Sequence, residues 1–103
     1  MYVVEIVSWN GKSGVTDQEM IEAVNAMIPD LEKLPGFRYQ SLSKSKNDQW
    51  VEIYYWDTAE EAHRSNDLMA DKASLGQLLL LIELESLSIE VLSPFQESMP
   101  LQL

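Results

Sequence analysis

His63 is the only histidine in the chain, and imidazole, which titrates near pH ~6.5, is the side chain best suited to proton transfer at neutral pH. At 100° per residue it falls on a stripe of Ala59, Ala62, His63, Asn66, Ala70 and Ala73. Small and polar side chains fill little volume, so two packings fit. Either this helix lies close to the sheet beneath it, or a cavity remains there, lined by His63, Asn66 and Tyr55. In the second case His63 is the catalytic acid/base, and Tyr55, Asn66 and Trp56 bind and orient a substrate. In the first, His63 is an ordinary packed or surface residue. Other chemistry finds no support. No cysteine is present, which removes thiol nucleophiles, disulfides and thiolate zinc sites. The carboxylates lack the spacing of a calcium loop, and neither a Gly-rich phosphate loop nor a G-x-S-x-G turn occurs. No metal and no cofactor are expected.

The chain's 103 residues make one domain. With 46% hydrophobic and 23% charged residues, disordered and fibrous classes are excluded. Seventeen acids against seven bases leave a net charge of −10, which repels phosphate backbones and anionic lipids; neither nucleic acid nor membrane is an expected partner. The start, Met1-Tyr2-Val3-Val4-Glu5, lacks the positive region of a secretory signal. The longest apolar run, Leu78 to Ile82, is far short of the ~20 residues that span a bilayer. The expected location is cytoplasmic, and the expected ligand a small molecule.

Hydrophobic patterning predicts strands over 2–9, 37–43, 50–56 and 86–92. The first helix opens at the capping box Thr16-Asp17-Gln18-Glu19, carries an apolar stripe of Met20, Val24, Met27, Leu31 and Leu34 with Ile21 and Ile28 beside it, and is expected to kink or break at Pro29. Pro35-Gly36 ends it. Thr58-Ala59-Glu60-Glu61 opens a second helix reaching about Ala73, and Ser74 to Ile82 forms a short third. The domain covers 1–95, with 96–103 as a C-terminal tail.

Val4–Asn10 aligns with Val51–Asp57 at an offset of 47, four of the seven positions being identical. Each copy precedes a Thr-capped helix and another strand, which marks a pseudo-repeat. Right-handed crossovers then give a ferredoxin-like βαββαβ α+β fold: a four-stranded antiparallel sheet of order 4-1-3-2 with both helices on one face. Strands 1 and 3 become neighbours, placing Trp9 beside Trp56 and Glu5 beside Glu52. Alternation assigns Val4, Ile6, Val51, Ile53, Tyr55, Leu87, Ile89 and Val91 to the helices. Glu5, Val7, Trp9, Glu52, Tyr54, Trp56 and Glu90 fall on the other face. That much aromatic surface suits a partner, so Trp9, Tyr54 and Trp56 are expected at a homodimer interface. A solvated outer face with scattered aromatics is the alternative.

Leu34-Pro35-Gly36-Phe37, followed by Trp50-Val51-Glu52-Ile53-Tyr54-Tyr55-Trp56-Asp57-Thr58-Ala59-Glu60-Glu61-Ala62, resembles the pattern of dimeric α/β-barrel proteins, in particular the antibiotic-biosynthesis-monooxygenase-like domain. The likeness spans about residues 2–95. It implies two sheets packed face to face in a dimer, with a small-molecule pocket between sheet and helices. The resemblance further implies one of several activities, among them oxidation of aromatic polyketides by O₂ without a cofactor, haem degradation and lactone isomerisation. The haem-degrading pattern does not carry over, because the stretch near Ser65 and Leu75 lacks its histidine and tryptophan. For the cofactor-free oxygenases, Trp56 matches the strand-3 tryptophan, Asn66 is the candidate asparagine, and no arginine is placed. Two functions follow: a homodimeric cofactor-independent monooxygenase or isomerase acting on an aromatic or cyclic substrate, or a non-catalytic ligand-binding or protein-assembly module of the same fold.

Overall fold

Thr16 and Glu19 form the expected reciprocal cap. The Thr16 hydroxyl oxygen accepts from the Glu19 N–H at 3.1 Å, and the Glu19 carboxylate accepts from the Thr16 N–H at 2.9 Å. The Thr16 N–H and the Thr16 hydroxyl, both donating to the Glu19 carboxylate, hold that carboxyl below its ordinary pKa. The computed structural model describes residues 2–103, ordered β1 (Val3–Gly11), α1 (Asp17–Leu31), β2 (Phe37–Lys44), β3 (Trp50–Trp56), α2 (Ala59–Met69), α3 (Ala73–Leu79) and β4 (Ile82–Leu92). Pro29 does not break α1. Its missing donor falls in the last turn, where exposed Asn25 can leave its carbonyl to water. Gly36, at φ +81°, makes the turn into β2, and an added Cβ there would collide with the Glu61 carboxylate at the start of α2.

The four strands form one antiparallel sheet of order β2-β3-β1-β4, which is the ferredoxin-like arrangement. The antiparallel register corrects one detail. Glu5 pairs with Tyr54, Val7 with Glu52 and Trp9 with Trp50, while Trp56 lies opposite Val3. The two glutamates are therefore diagonal neighbours, and Trp9 and Trp56 stand at opposite ends of the pair. β4 begins at Ile82, earlier than expected, because residues 84–87 bulge out of the ladder between Ser88, opposite Ser8, and Glu83, opposite Asn10. The Ser86 hydroxyl anchors this excursion, accepting from the Asn10 N–H at 2.8 Å and donating to the Glu83 carbonyl at 2.6 Å.

The two faces of the central strands are reversed from expectation. Glu5, Trp9, Glu52, Tyr54 and Trp56 lie under the helices, with Trp9 and Trp56 at 0% exposure. Val4, Ile6, Val51, Ile53 and Tyr55 are half-buried on the open face. On β4 the pairing puts Val91 with Glu5 and Ile89 with Val7, so these two do face the helices, and Glu90 turns outward beside Ile6. Large aromatics decide the outcome. Burying two tryptophans and a tyrosine, at 150–250 Å² each, removes more apolar surface than burying valines and isoleucines. The helices meet them with Met20, Val24, Met27 and Leu31 of α1, Ala62, Ser65 and Met69 of α2, and Leu78 of α3. Ser74 of α3 ties this helix to the end of α1, donating to the Asp30 carboxylate at 2.6 Å.

Candidate functional site

Small side chains on α2 leave a space between that helix and the sheet. It is a cavity of about 370 Å³, and Ser65, Asn66, Met69 and Ala70 form its α2 wall. Trp9, Tyr54 and Trp56 form the sheet wall together with Glu5 and Glu52; Met27, Leu31, Leu75, Leu78 and Leu79 close the sides. Asn66, Ala70, Leu87 and Ile89 are lining residues that are also exposed, and they mark the opening. The volume falls within the range of small-molecule sites.

Two carboxyl groups sit in this apolar space. Glu5, 3% exposed, accepts on Oε1 from the Trp56 indole N–H at 2.9 Å. Glu52, 2% exposed, accepts on Oε2 from the Tyr54 hydroxyl at 2.9 Å and the Gln40 amide at 2.7 Å. Among the described residues, the buried side-chain polar atom without a partner is Trp9 Nε1. The second oxygens of Glu5 and Glu52 accept no side-chain hydrogen bond, and both residues line the cavity. Burial pushes the Glu52 carboxyl up to about 7, against the pull of Tyr54 and Gln40, and the nearby Glu5 charge adds to the rise. Burial raises Glu5 as well, opposed by Trp56 and by the charge of His63. Desolvation and the Glu52 charge raise the Tyr54 hydroxyl well above its ordinary value, so it remains a donor at neutral pH. A carboxyl poised near neutrality within an apolar pocket is what general acid–base chemistry requires.

Asn66 and Trp56 come together on the cavity, as their expected role needs. Tyr55 does not join them: it stacks on Tyr2 at 5.5 Å between centroids and lies 5.8 Å from Tyr39, on the open face. His63 is exposed on α2 and forms no part of the cavity wall. The inward stripe of α2 runs Ala62, Ser65, Met69, one residue off the expected track, which turns His63 aside. Trp9, Tyr54 and Trp56 belong to the core and the cavity rather than to an interface. Glu5 and Glu52 were missed because charge placed them outside; their signal was the shared parity with three aromatics in a repeated segment.

No family model matches the chain, and no curated protein matches its sequence. Solved structures do match. A protein from Bordetella bronchiseptica proposed to be an antibiotic biosynthesis monooxygenase superposes with a TM-score of 0.76 at 13% identity, over 92% of this chain and 98% of that one. SnoaB, a cofactor-independent oxygenase from Streptomyces nogalater, gives 0.71 at 15% identity, over 94% and 96%. Rv0793 from Mycobacterium tuberculosis gives 0.70 at 18% identity, over 96% and 100%. The chain has the ferredoxin-like fold of the antibiotic-biosynthesis-monooxygenase-like proteins. Within that fold it is similar to a cofactor-independent oxygenase. Among the described residues, no helix is long and apolar enough to cross a membrane.

Proposed function

We propose that this chain is a homodimeric small-molecule-binding protein that acts as a cofactor-independent monooxygenase on an aromatic or cyclic substrate. The observation that carries this reading is an aromatic-walled cavity holding Glu52, a carboxyl whose pKa lies near 7. Similarity to SnoaB supports it, although fold alone does not fix function. Glu52 takes the hydroxyl proton of an electron-rich phenol, and the apolar walls keep water from the phenolate. The phenolate reduces O₂: one oxygen atom enters the ring as a quinone carbonyl and the other leaves as water, whose two hydrogens are the C–H hydrogen of the oxidised carbon and the hydroxyl proton returned by Glu52. Asn66 and Trp56 position the ring. Aerobic incubation with a panel of electron-rich phenols and quinols tests this. Wild type is expected to turn over, and Glu52→Gln to lose about 10²–10⁴-fold in rate. Loss in His63→Ala instead, with Glu52→Gln active, would return the acid/base role to the histidine.

One observation favours the non-catalytic alternative: none of the side chains lining the cavity is basic, so the walls offer no positive charge to a developing oxyanion. Saturable binding without turnover across the panel would support that reading.

The open face of the sheet supplies the dimer surface. Val4, Ile6, Val51 and Ile53 are half-buried there, Tyr39 and Leu92 are exposed, and Phe95 just beyond β4 is fully exposed. An antiparallel sheet tolerates a wet face when that face is polar; this one is apolar along both central strands. Wild type is expected to elute as a dimer on sizing with light scattering, and Ile53→Glu as a folded monomer. A dimeric Ile53→Glu would place the contact elsewhere.

A further inference from the structure

The side chains lining the cavity include two acids and no base, and the oxygenation chemistry uses only one of the acids. Glu5 and Glu52 share one wall of the cavity with Trp9, Tyr54 and Trp56. Tyr54 and Trp56 are stacked at 6.0 Å between centroids, and Trp9 lines the same wall. Carboxylates in an apolar pocket attract organic cations, through charge-assisted hydrogen bonds to an ammonium group. Anions meet both acids and the field of a chain with net charge −10. We propose that the cavity selects an organic cation: an aromatic or fused-ring molecule bearing a protonated amine, with its ring held between the cavity's apolar walls and its ammonium group at the second carboxyl oxygens of Glu5 and Glu52.

This rests on the cavity being the ligand site and names the class of ligand. It also meets the lack of positive charge in the walls, since the substrate's own ammonium group would stand beside the phenolate. Neither acid is held by a basic side chain of the cavity wall. Each is anchored through one oxygen by an uncharged donor, Trp56 for Glu5, and Tyr54 and Gln40 for Glu52, so an incoming cation displaces no ion pair.

Isothermal titration calorimetry at pH 8 with three probes of one shape tests the proposal: 1-naphthylmethylammonium, 1-naphthalenemethanol and 1-naphthoate. The ammonium is expected to bind about tenfold or more tighter than the alcohol, and the naphthoate not to bind measurably. Glu52→Gln and Glu5→Gln, checked for folding by circular dichroism, are expected to shrink the ammonium-to-alcohol ratio to about threefold or less without weakening the alcohol. Should one variant fail to fold, the other and the wild-type series still decide. Equal binding of ammonium and alcohol, or preference for naphthoate, overturns charge selection while leaving the cavity a ligand site. A tenfold preference that survives both substitutions overturns the assignment to these acids. If none of the three binds, the cavity reading falls with it.

Discussion

Replacing Glu52 by glutamine is expected to stabilise the protein, by as much as about 3 kcal/mol at pH 8, and to leave it nearly unchanged near pH 4.5. Burial raises this carboxyl from 4.5 to about 7, so between those values the folded state holds a proton that the unfolded state releases. Stability therefore falls as pH rises through that window, by about 1.4 kcal/mol for each unit of difference. Glutamine cannot ionise, so it escapes this loss, and its carbonyl oxygen can still accept from Tyr54 and Gln40. The gain of variant over wild type should grow from pH 4.5 to 7 and level off above it. Urea unfolding across that range measures it; taking the difference between the two proteins cancels the general repulsion of an acidic chain. A variant less stable than wild type at pH 8 would mean that the ionised carboxylate has a partner stronger than the neutral donors seen.

Trp56→Ala is expected to destabilise by about 3–5 kcal/mol, a large part of the 5–15 kcal/mol that holds a domain together. The indole is fully buried, packs edge-on against Phe37 at 5.6 Å, and supplies the hydrogen bond to Glu5. Its removal enlarges the cavity and leaves a buried carboxyl oxygen unpaired, which adds to the loss. Trp56→Phe keeps most of the packing and should lose less, the remainder reporting the Glu5 contact. Trp56→Glu distinguishes the observed face from the expected one. At an interface it would yield a folded monomer; beneath helices it yields an unfolded chain, seen by circular dichroism.

The topology was legible because its determinants are local or repeated. Thr16 and Glu19 announce one helix, Thr58 announces the next, and the Val-Glu-Ile repeat fixes two halves whose right-handed crossovers leave one strand order. The choice of faces was not legible by the same means. Alternation separates two sets of side chains and does not say which set meets the helices. Judged by charge, the set containing Glu5, Glu52 and Glu90 belongs outside; judged by area, Trp9, Tyr54 and Trp56 take the inside, and area prevails because Trp56, Tyr54 and Gln40 satisfy the buried acids. Glu90 parts from them because β4 has its own register. The site inherited the error: with the faces exchanged, Tyr55 was chosen where Tyr54 stands. On α2 a slip of one residue, from Asn66 and Ala70 to Ser65 and Met69, moved His63 from wall to surface. A short helix rich in alanine has too weak an apolar stripe to fix its own rotation.

The bulge at residues 84–87 of β4 lies opposite Trp9 alone and is anchored by Ser86 to the backbone of Asn10 and Glu83. Leu87 within it and Ile89 just beyond it border the entrance to the cavity. Because no cross-strand pairing counts these residues, insertions or deletions here would change the shape of the doorway while the strands kept their alignment. A lineage could thus exchange the molecules it admits by editing one hairpin-sized stretch, and the same stretch is the natural place to diversify a library in search of new ligands.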